Sequence, residues 1–227
     1  MWWIKTFYNA VWRGELDLTL FDLPEALSRR KNTRSSRRNK KILGRSIDER
    51  PSIVSERQEI GHWEIDTVVG KKAGKGSVVL TLVEKLTDFY TAIKIPAKTS
   101  DAVKAALEML RNYYGAEYFS QVFKTITADN GADFAELSQI EDFGTSVYFA
   151  HPYSSWERPQ NERHNRIFRR YIPKGHSIED YTSCQILGFA DSMNALPRRI
   201  LGYSTPEELF DEFLDEVYQI PVGENVS

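Results

Sequence analysis

The amino-acid sequence predicts an α/β domain on a mixed five-stranded sheet flanked by helices. Three observations carry that expectation. Segments 62–70, 77–85 and 88–96 are apolar runs of strand length with short connections, which implies an antiparallel meander. Helix-patterned segments then alternate with two shorter strands, at 124–129 and 147–150. Two further amphipathic patterns follow near 179–195 and 206–217. At 227 residues, 41% hydrophobic and 27% charged, the chain suits one large domain or one domain with appendages. Its 12 Phe, 11 Tyr and 5 Trp supply enough apolar area for a core, which excludes a disordered chain. No apolar run approaches the ~18 residues of a membrane span. The start, Met-Trp-Trp-Ile, is too short for a signal peptide. One cysteine, Cys184, excludes an intrachain disulfide and a cysteine-based zinc site. A cytoplasmic protein without membrane partners is expected.

Residues 1–27 read as a short helix followed by an extended stretch to Pro24. In 62–70, period 2 places Trp63, Ile65, Thr67 and Val69 on one face and His62, Glu64, Asp66 and Val68 on the other. Residues 71–76 form a turn, and Pro96 ends the third strand. Ser100 caps a helix over 101–114 whose stripe is Val103, Ala106, Leu107, Leu110 and Tyr114, and Gly115 stops it. The strand at 124–129 ends in the turn Asn130-Gly131, and 132–142 has a helical pattern. A loop from His151 leads into a helix with Pro159 in its first turn, running to about Tyr171 before Pro173 and Gly175. Thr205-Pro206-Glu207-Glu208 is a capping box with Pro at the first helical position.

The net charge of −2 is unevenly spread. Residues 1–61 carry 13 Lys/Arg against 8 Asp/Glu, residues 62–175 carry 15 against 14, and residues 176–227 carry 2 against 10. The segment 28–45 has nine cations and no acid: Arg29, Arg30, Lys31, Arg34, Arg37, Arg38, Lys40, Lys41 and Arg45. It lacks apolar periodicity, so it reads as an arm or linker. A solvated linker has the same composition, but freedom from acids favours an anionic polymer such as nucleic acid. Three regions follow: a helix and basic arm over 1–57, a core over 58–175 and a helical extension over 176–227.

Three acids stand out. Asp66 sits in the middle of an apolar strand, where Asp is disfavoured unless that face is exposed beside Glu64. Asp129 ends a strand before Asn-Gly, a place where Asp also serves turns. Glu162 lies in the first turns of a helix, where the dipole favours an acid. Taken together, a strand Asp, a strand-end Asp and a helix Glu on a βββαβαβα pattern match two-metal phosphoryl transfer. That chemistry needs hard oxygen ligands converging from rigid elements, with Asp66 as the bridging candidate. Three like charges in one pocket should raise at least one pKa when no metal is bound. Around Glu162, the cations Arg158, Arg163, Arg166, Arg169, Arg170 and Lys174 would give the helix a face suited to phosphates, unless that face is simply solvated. Asn161 and Asn165 could contact DNA or orient the Glu.

The segments GHWEIDTVVG (61–70), TADNGADFAE (127–136), YFAHPYSSWERPQNERHNRIFRRYIPKG (148–175) and LGYSTPEELF (201–210), with GRSIDERP (44–51), resemble the IS30 family of bacterial insertion-sequence transposases. The likeness covers roughly residues 7–215. It implies an RNase H-like, retroviral-integrase-type catalytic domain with a DDE triad at Asp66, Asp129 and Glu162. It further implies Mg²⁺ or Mn²⁺, two ions per site, and as partners the terminal inverted repeats of an element and target DNA. A homo-oligomer and work at the bacterial nucleoid are implied too. Here 32 residues separate Asp129 from Glu162, about one fewer than in the family, which places a deletion in the 140–147 loop. Arg163-His164-Asn165-Arg166 replaces the family's more usual Asn-Thr-Asn-Gly after the Glu. Full-length relatives carry an N-terminal helix-turn-helix region, so an N-terminally shortened transposase is the expectation.

Two rivals stand beside a transposase that cleaves element ends and joins them to target DNA. One is an RNase H-like nuclease that cuts without joining, and the other is an inactive DNA-binding remnant. A P-loop at 70–76 fails on spacing, since Gly76 follows Lys75 where Ser or Thr is required. His62, His151, His164 and His176 lack zinc-ligand spacing, but His151 and His164 are candidates for the neighbourhood of the active site. Trp63, Tyr153 and Trp156 read as core and loop anchors, with Tyr153 or Trp156 able to stack on a frayed DNA end.

Overall fold

A computed structural model describes residues 9–11, 13–18, 42–71, 76–152 and 154–219. Residues 28–41 of the expected basic arm, most of the expected N-terminal helix and Tyr153 lie outside the described residues, while Arg45 at the arm's end pairs with Glu141. The chain divides into two compact units, 1–38 and 39–227. In the first, residues 9–11 make a helical turn that Gly14 closes at a φ of +70°.

The second unit opens on a capped 3-10 turn at Ile47–Glu49 and a short helix α1 (Ser52–Glu56). Five strands form one sheet in the order β3-β2-β1-β4-β5. Central β1 (His62–Val69) pairs antiparallel with β2 (Val78–Glu84), which pairs antiparallel with β3 (Tyr90–Ile95). On its other side β1 pairs parallel with β4 (Thr125–Ala128), and β4 pairs parallel with β5 (Ser146–Phe149). The meander and the two later strands therefore meet on β1, as the alternating pattern predicts. The RNase H-like fold class holds.

Both faces of β1 are covered, and its alternation sorts the core into two clusters. Trp63 and Ile65 face helix α2 (Ser100–Tyr114) and, across the chain, Phe210 and Val217. Trp63 is fully buried, stacks on Phe123 at 4.7 Å and donates its indole N–H to the Val122 carbonyl at 2.8 Å. A short helix α3 (Phe119–Val122) supplies that carbonyl. Val68, with Val79, Val83 and Tyr90, packs on the opposite face against Phe168, Ile172, Ile186, Ala190 and Met193. Those residues come from helix α4 (Pro159–Phe168), the turn after it and helix α5 (Ser183–Asn194). The last helix, α6 (Pro206–Gln219), begins with the expected capping box: Thr205 N–H to Glu208 at 2.8 Å, and Glu208 N–H to the Thr205 hydroxyl at 3.1 Å. The helices after residue 175 thus complete the same core as the strands.

Four local expectations are corrected. Residues 132–142 form 3-10 turns, Ala132–Phe134 and Leu137–Phe143, rather than an α-helix. The Asp133 side chain is drawn inward to accept from the Thr67 hydroxyl at 2.9 Å, which holds this segment against β1. Thr99 rather than Ser100 caps α2, because Thr99 has the extended backbone and accepts from Ala102 N–H. The helix carrying Glu162 ends at Phe168 instead of Tyr171. The helix expected from 179 starts at Ser183, behind a capping box of Thr182 and Gln185.

Candidate active site

Asp66 lies on β1 opposite Thr81 of β2. Glu64 pairs with Thr127 of β4, so extending that parallel register by two residues sets Asp129 beside Asp66. The turn after β4 then fixes the Asp129 carboxylate. Its Oδ1 accepts the Gly131 N–H at 2.8 Å, and a Cβ at Gly131 would collide with the carboxylates of both Asp129 and Asp133. Asn130 braces the same turn: its Oδ1 accepts Leu43 N–H at 2.9 Å and its amide donates to the Ala150 carbonyl.

Helix α4 brings the third acid. Its N-terminus is held to the sheet by Glu64, whose Oε2 accepts the Asn161 N–H at 2.9 Å while Oε1 pairs with Lys85 at 3.0 Å. Glu64 is fully buried, which removes the alternative that Asp66 merely sits on an exposed strand face. A carboxylate at the first turn of a helix satisfies an orphan N–H and complements the dipole. Arg158, just before the helix, donates to the Ile65 carbonyl at 2.9 Å. Its guanidinium lies 3.3 Å from Asp129 Oδ2 and 4.0 Å from Asp66 Oδ1. One buried cation therefore joins the two aspartates.

A cleft of about 380 Å³ opens at this junction, and Asp66, Glu162, Arg158, Arg166, Arg169 and Lys174 are among the residues that line it. Glu162 is exposed on its wall. Asp66 Oδ1 accepts Thr67 N–H at 2.9 Å and its Oδ2 accepts the Asn165 amide at 3.0 Å. Burial pushes the Asp66 carboxyl above its usual range and the charge of Asp129 adds to this, while Arg158 and the Thr67 N–H pull against it. The expected rise is present, with burial as its main cause rather than like charge alone. Among the described residues, no three His, Cys, Asp or Glu side chains stand close enough together to hold a metal ion. The donor chemistry nonetheless fits a hard divalent cation: the carboxylates of Asp66 and Glu162 line the cleft, and Arg158 joins Asp129 to Asp66.

The cations sort into two groups. Arg166 and Lys174 are exposed and line the cleft, and Arg170 is exposed outside its lining. Arg158 is buried and turned onto the two aspartates, whereas Arg163 and Arg169 each have an internal partner and stay partly exposed. Arg163 pairs with Asp88 at 2.7 Å, and Arg169 donates to the Val69 carbonyl at 2.7 Å. Arg29, Arg30, Lys31, Arg34, Arg37, Arg38, Lys40 and Lys41 lie outside the described residues.

Of the two histidines expected near the site, His151 bridges Asp48 at 3.0 Å and Glu157 at 2.9 Å, and so ties the 44–51 segment to the loop before α4. His164 is fully buried behind the helix. Arg198 donates to its Nε2 at 2.6 Å, so the ring is neutral with its proton on Nδ1, donated to the Gln160 carbonyl at 2.8 Å. Burial depresses its pKa to about 4. The unfolded chain then takes up a proton below about pH 6.5 that the folded chain refuses, so stability falls as pH drops through that window. Chemical denaturation should show wild type losing about 2 kcal/mol more than His164→Gln between pH 7 and 5. Equal losses would contradict a neutral buried ring.

Residues 56–155 match the family described as Integrase core domain, a segment that contains Asp66 and Asp129 and ends just before α4. The chain is 40% identical over 208 residues to the probable transposase for the insertion-like sequence element IS1161 of Streptococcus salivarius, covering 91% of this chain and 58% of that protein. It is 37% identical over 226 residues to the transposase for IS4351 of Bacteroides fragilis, covering 93% and 64%. It is 30% identical over 217 residues to the transposase InsI for IS30A of Escherichia coli K12, covering 91% and 54%. The chain therefore spans about three fifths of the length of these relatives. No helix among the described residues is long and apolar enough to cross a membrane. Residues 56–155 thus match the integrase core domain family, within a chain similar along nine tenths of its length to insertion-sequence transposases, that of IS30A among them.

Proposed function

We propose that this chain is the catalytic part of an insertion-sequence transposase, which cleaves a phosphodiester at the element end and joins the freed 3′-OH to target DNA. One observation carries the reading: Arg158 joins Asp129 to Asp66, and Asp66 and Glu162 line the same cleft. Asp66, Asp129 and Glu162 would hold Mg²⁺ or Mn²⁺, two ions per site. Bound there, the ions supply an activated water or hydroxyl and neutralise charge on the phosphoryl group. The protein's own contribution is positioning. Arg158 keeps the two aspartates together, Glu64 holds the helix that presents Glu162, and Arg166 and Lys174 draw the phosphate backbone along the cleft. Arg169 Nη1 and Asn161 Nδ2 are buried in the cleft wall without hydrogen-bond partners. No side-chain nucleophile is required. Element inverted repeats and target DNA are the proposed partners, with the chain acting as a homo-oligomer at the bacterial nucleoid.

Strand transfer with duplexes bearing the element's own inverted repeats tests the reading. Joined products that need Mg²⁺ or Mn²⁺ support it. Cleavage without joining points to a nuclease, and DNA binding without either reaction points to an inactive remnant. The two exposed cleft cations give a separate check. Arg166→Ala and Lys174→Ala should each weaken binding of any duplex and reduce the slope of log K against log salt by about 1. An unchanged slope would place the DNA elsewhere.

A further inference from the structure

We propose that Tyr90 and Asn165 form a positioning relay that fixes the rotation of the Asp66 carboxylate, and so its readiness to ligate a divalent cation. The inference rests on the reading of Asp66 as a metal ligand. Asn165, on α4 one turn after Glu162 less one residue, donates its amide N–H to Asp66 Oδ2 at 3.0 Å. Its carbonyl oxygen accepts the Tyr90 hydroxyl at 2.9 Å. The amide has only one sensible orientation. A carboxylate is purely an acceptor, so the NH₂ end must face Asp66, and the oxygen end must then face a donor. The Tyr90 phenol is that donor.

Tyr90 is well built for the task. It is fully buried on β3, and its ring is parallel to that of His164 at 5.8 Å and tilted against Phe168 at 5.8 Å. Its backbone is clamped from both sides by one side chain: the Asn194 carbonyl oxygen accepts Tyr90 N–H at 2.9 Å, and the Asn194 amide donates to Tyr90 O at 2.8 Å. The relay thus runs from a fixed point in the core, through the helix that carries Glu162, to the carboxylate on β1. It sets the position of Asp66 against the same helix that presents Glu162. With Oδ1 held by Thr67 N–H and Oδ2 by Asn165, the carboxylate plane is determined from both sides, and each oxygen keeps a lone pair for a cation. Groups that orient a metal ligand from behind commonly change metal affinity ~10–100-fold when removed.

The test uses the full chain bound to duplex DNA, with Mn²⁺ as the probe. Calorimetric Kd for Mn²⁺ is measured for wild type, Asn165→Ala, Tyr90→Phe, the double variant and Asp66→Asn, beside kcat and KM for strand transfer. Melting temperatures identify variants that remain folded, and Tyr90→Phe keeps the ring packing if Asn165→Ala does not. The expected result is a Mn²⁺ Kd raised ~10-fold in Asn165→Ala and a few-fold in Tyr90→Phe. The double variant should be no weaker than Asn165→Ala, and KM for DNA should be unchanged, because both residues act through one chain of hydrogen bonds. Wild-type Mn²⁺ affinity in the folded single variants, or additive losses in the double, would overturn the relay while leaving Asp66 a ligand. Wild-type affinity in Asp66→Asn would instead overturn the ligand assignment itself.

Discussion

Alanine at Asp66, Asp129 or Glu162 is expected to reduce DNA joining by about 1000-fold or more while duplex binding persists. The reason is that groups aimed at one reacting centre act as a unit, so the loss of any one removes most of the rate. Stability should move the other way at Asp66. Burial raises the pKa of its carboxyl, so its ionised form at neutral pH costs folding free energy. That contribution is present above the ordinary carboxyl pKa, and it disappears when the charge does. Asp66→Asn should therefore melt at or above the wild-type temperature at pH 7 while being inactive. Scanning calorimetry beside the joining assay checks both halves. A strongly destabilised Asp66→Asn would mean that this carboxylate is structural, and near wild-type joining in any of the three alanine variants would remove that residue from the site.

The second large effect is expected at Asp88, far from any motif. Its fully buried carboxylate meets Arg57 at 3.2 Å, Arg163 at 2.7 Å and Arg198 at 3.1 Å, and accepts the Gln160 amide at 2.8 Å. Burial alone would raise its pKa; the Gln160 hydrogen bond and the guanidinium groups outweigh that and hold it below the usual range. Asp88 also sits at a φ of +59°, which Asp and Asn tolerate better than other side chains. Removing one partner of a buried ionic cluster costs about 3–5 kcal/mol, because the remaining charges stay buried without compensation. Asp88→Ala should lose that much in denaturant unfolding. Asp88→Asn should lose less, since it keeps the backbone preference and one acceptor. Equal losses would assign the effect to the charge alone, and a wild-type-like Asp88→Asn would assign it to the backbone. Because Gln160 and Arg163 flank Glu162 on α4, both variants should also slow joining.

This cluster explains why only part of the architecture was legible in the sequence. The strands, the capping box at Thr205 and the buried stripe of α2 depend on neighbours in the chain, and local pattern reveals them. The cluster at Asp88 gathers partners from residues 57, 160, 163 and 198, and no periodicity links those positions. The same holds for Arg158. Its spacing from Glu162 suggested a phosphate contact, whereas the fold turns it inward onto two aspartates. The unusual Arg163-His164-Asn165 run also gains a meaning from the fold. Arg163 pairs with Asp88, His164 stacks on Tyr90 and Asn165 holds Asp66, so these residues fit their surroundings closely.

Some missed features had a signal. Ser46-Ile-Asp-Glu49 and Thr182-Ser-Cys-Gln185 carry the same capping pattern as Thr205, and both form the reciprocal bonds. A buried Glu64 was hinted at by its place on the same strand face as Asp66, between apolar neighbours. What it binds, the N-terminus of α4, required the fold. The 3-10 turns at 132–143 had no sequence signal, because the side chain of Asp133 reaching Thr67 decides them.

Asp66 and Asp129, joined through Arg158, are proposed to form with Glu162 a site for divalent cations. The most direct measurement is a calorimetric titration of Mn²⁺ into the DNA-bound chain, with Asp66→Asn beside it. Saturable binding by wild type and its loss in the variant are expected. Saturable binding of equal affinity in both, or none in the wild type with DNA present, would contradict this assignment.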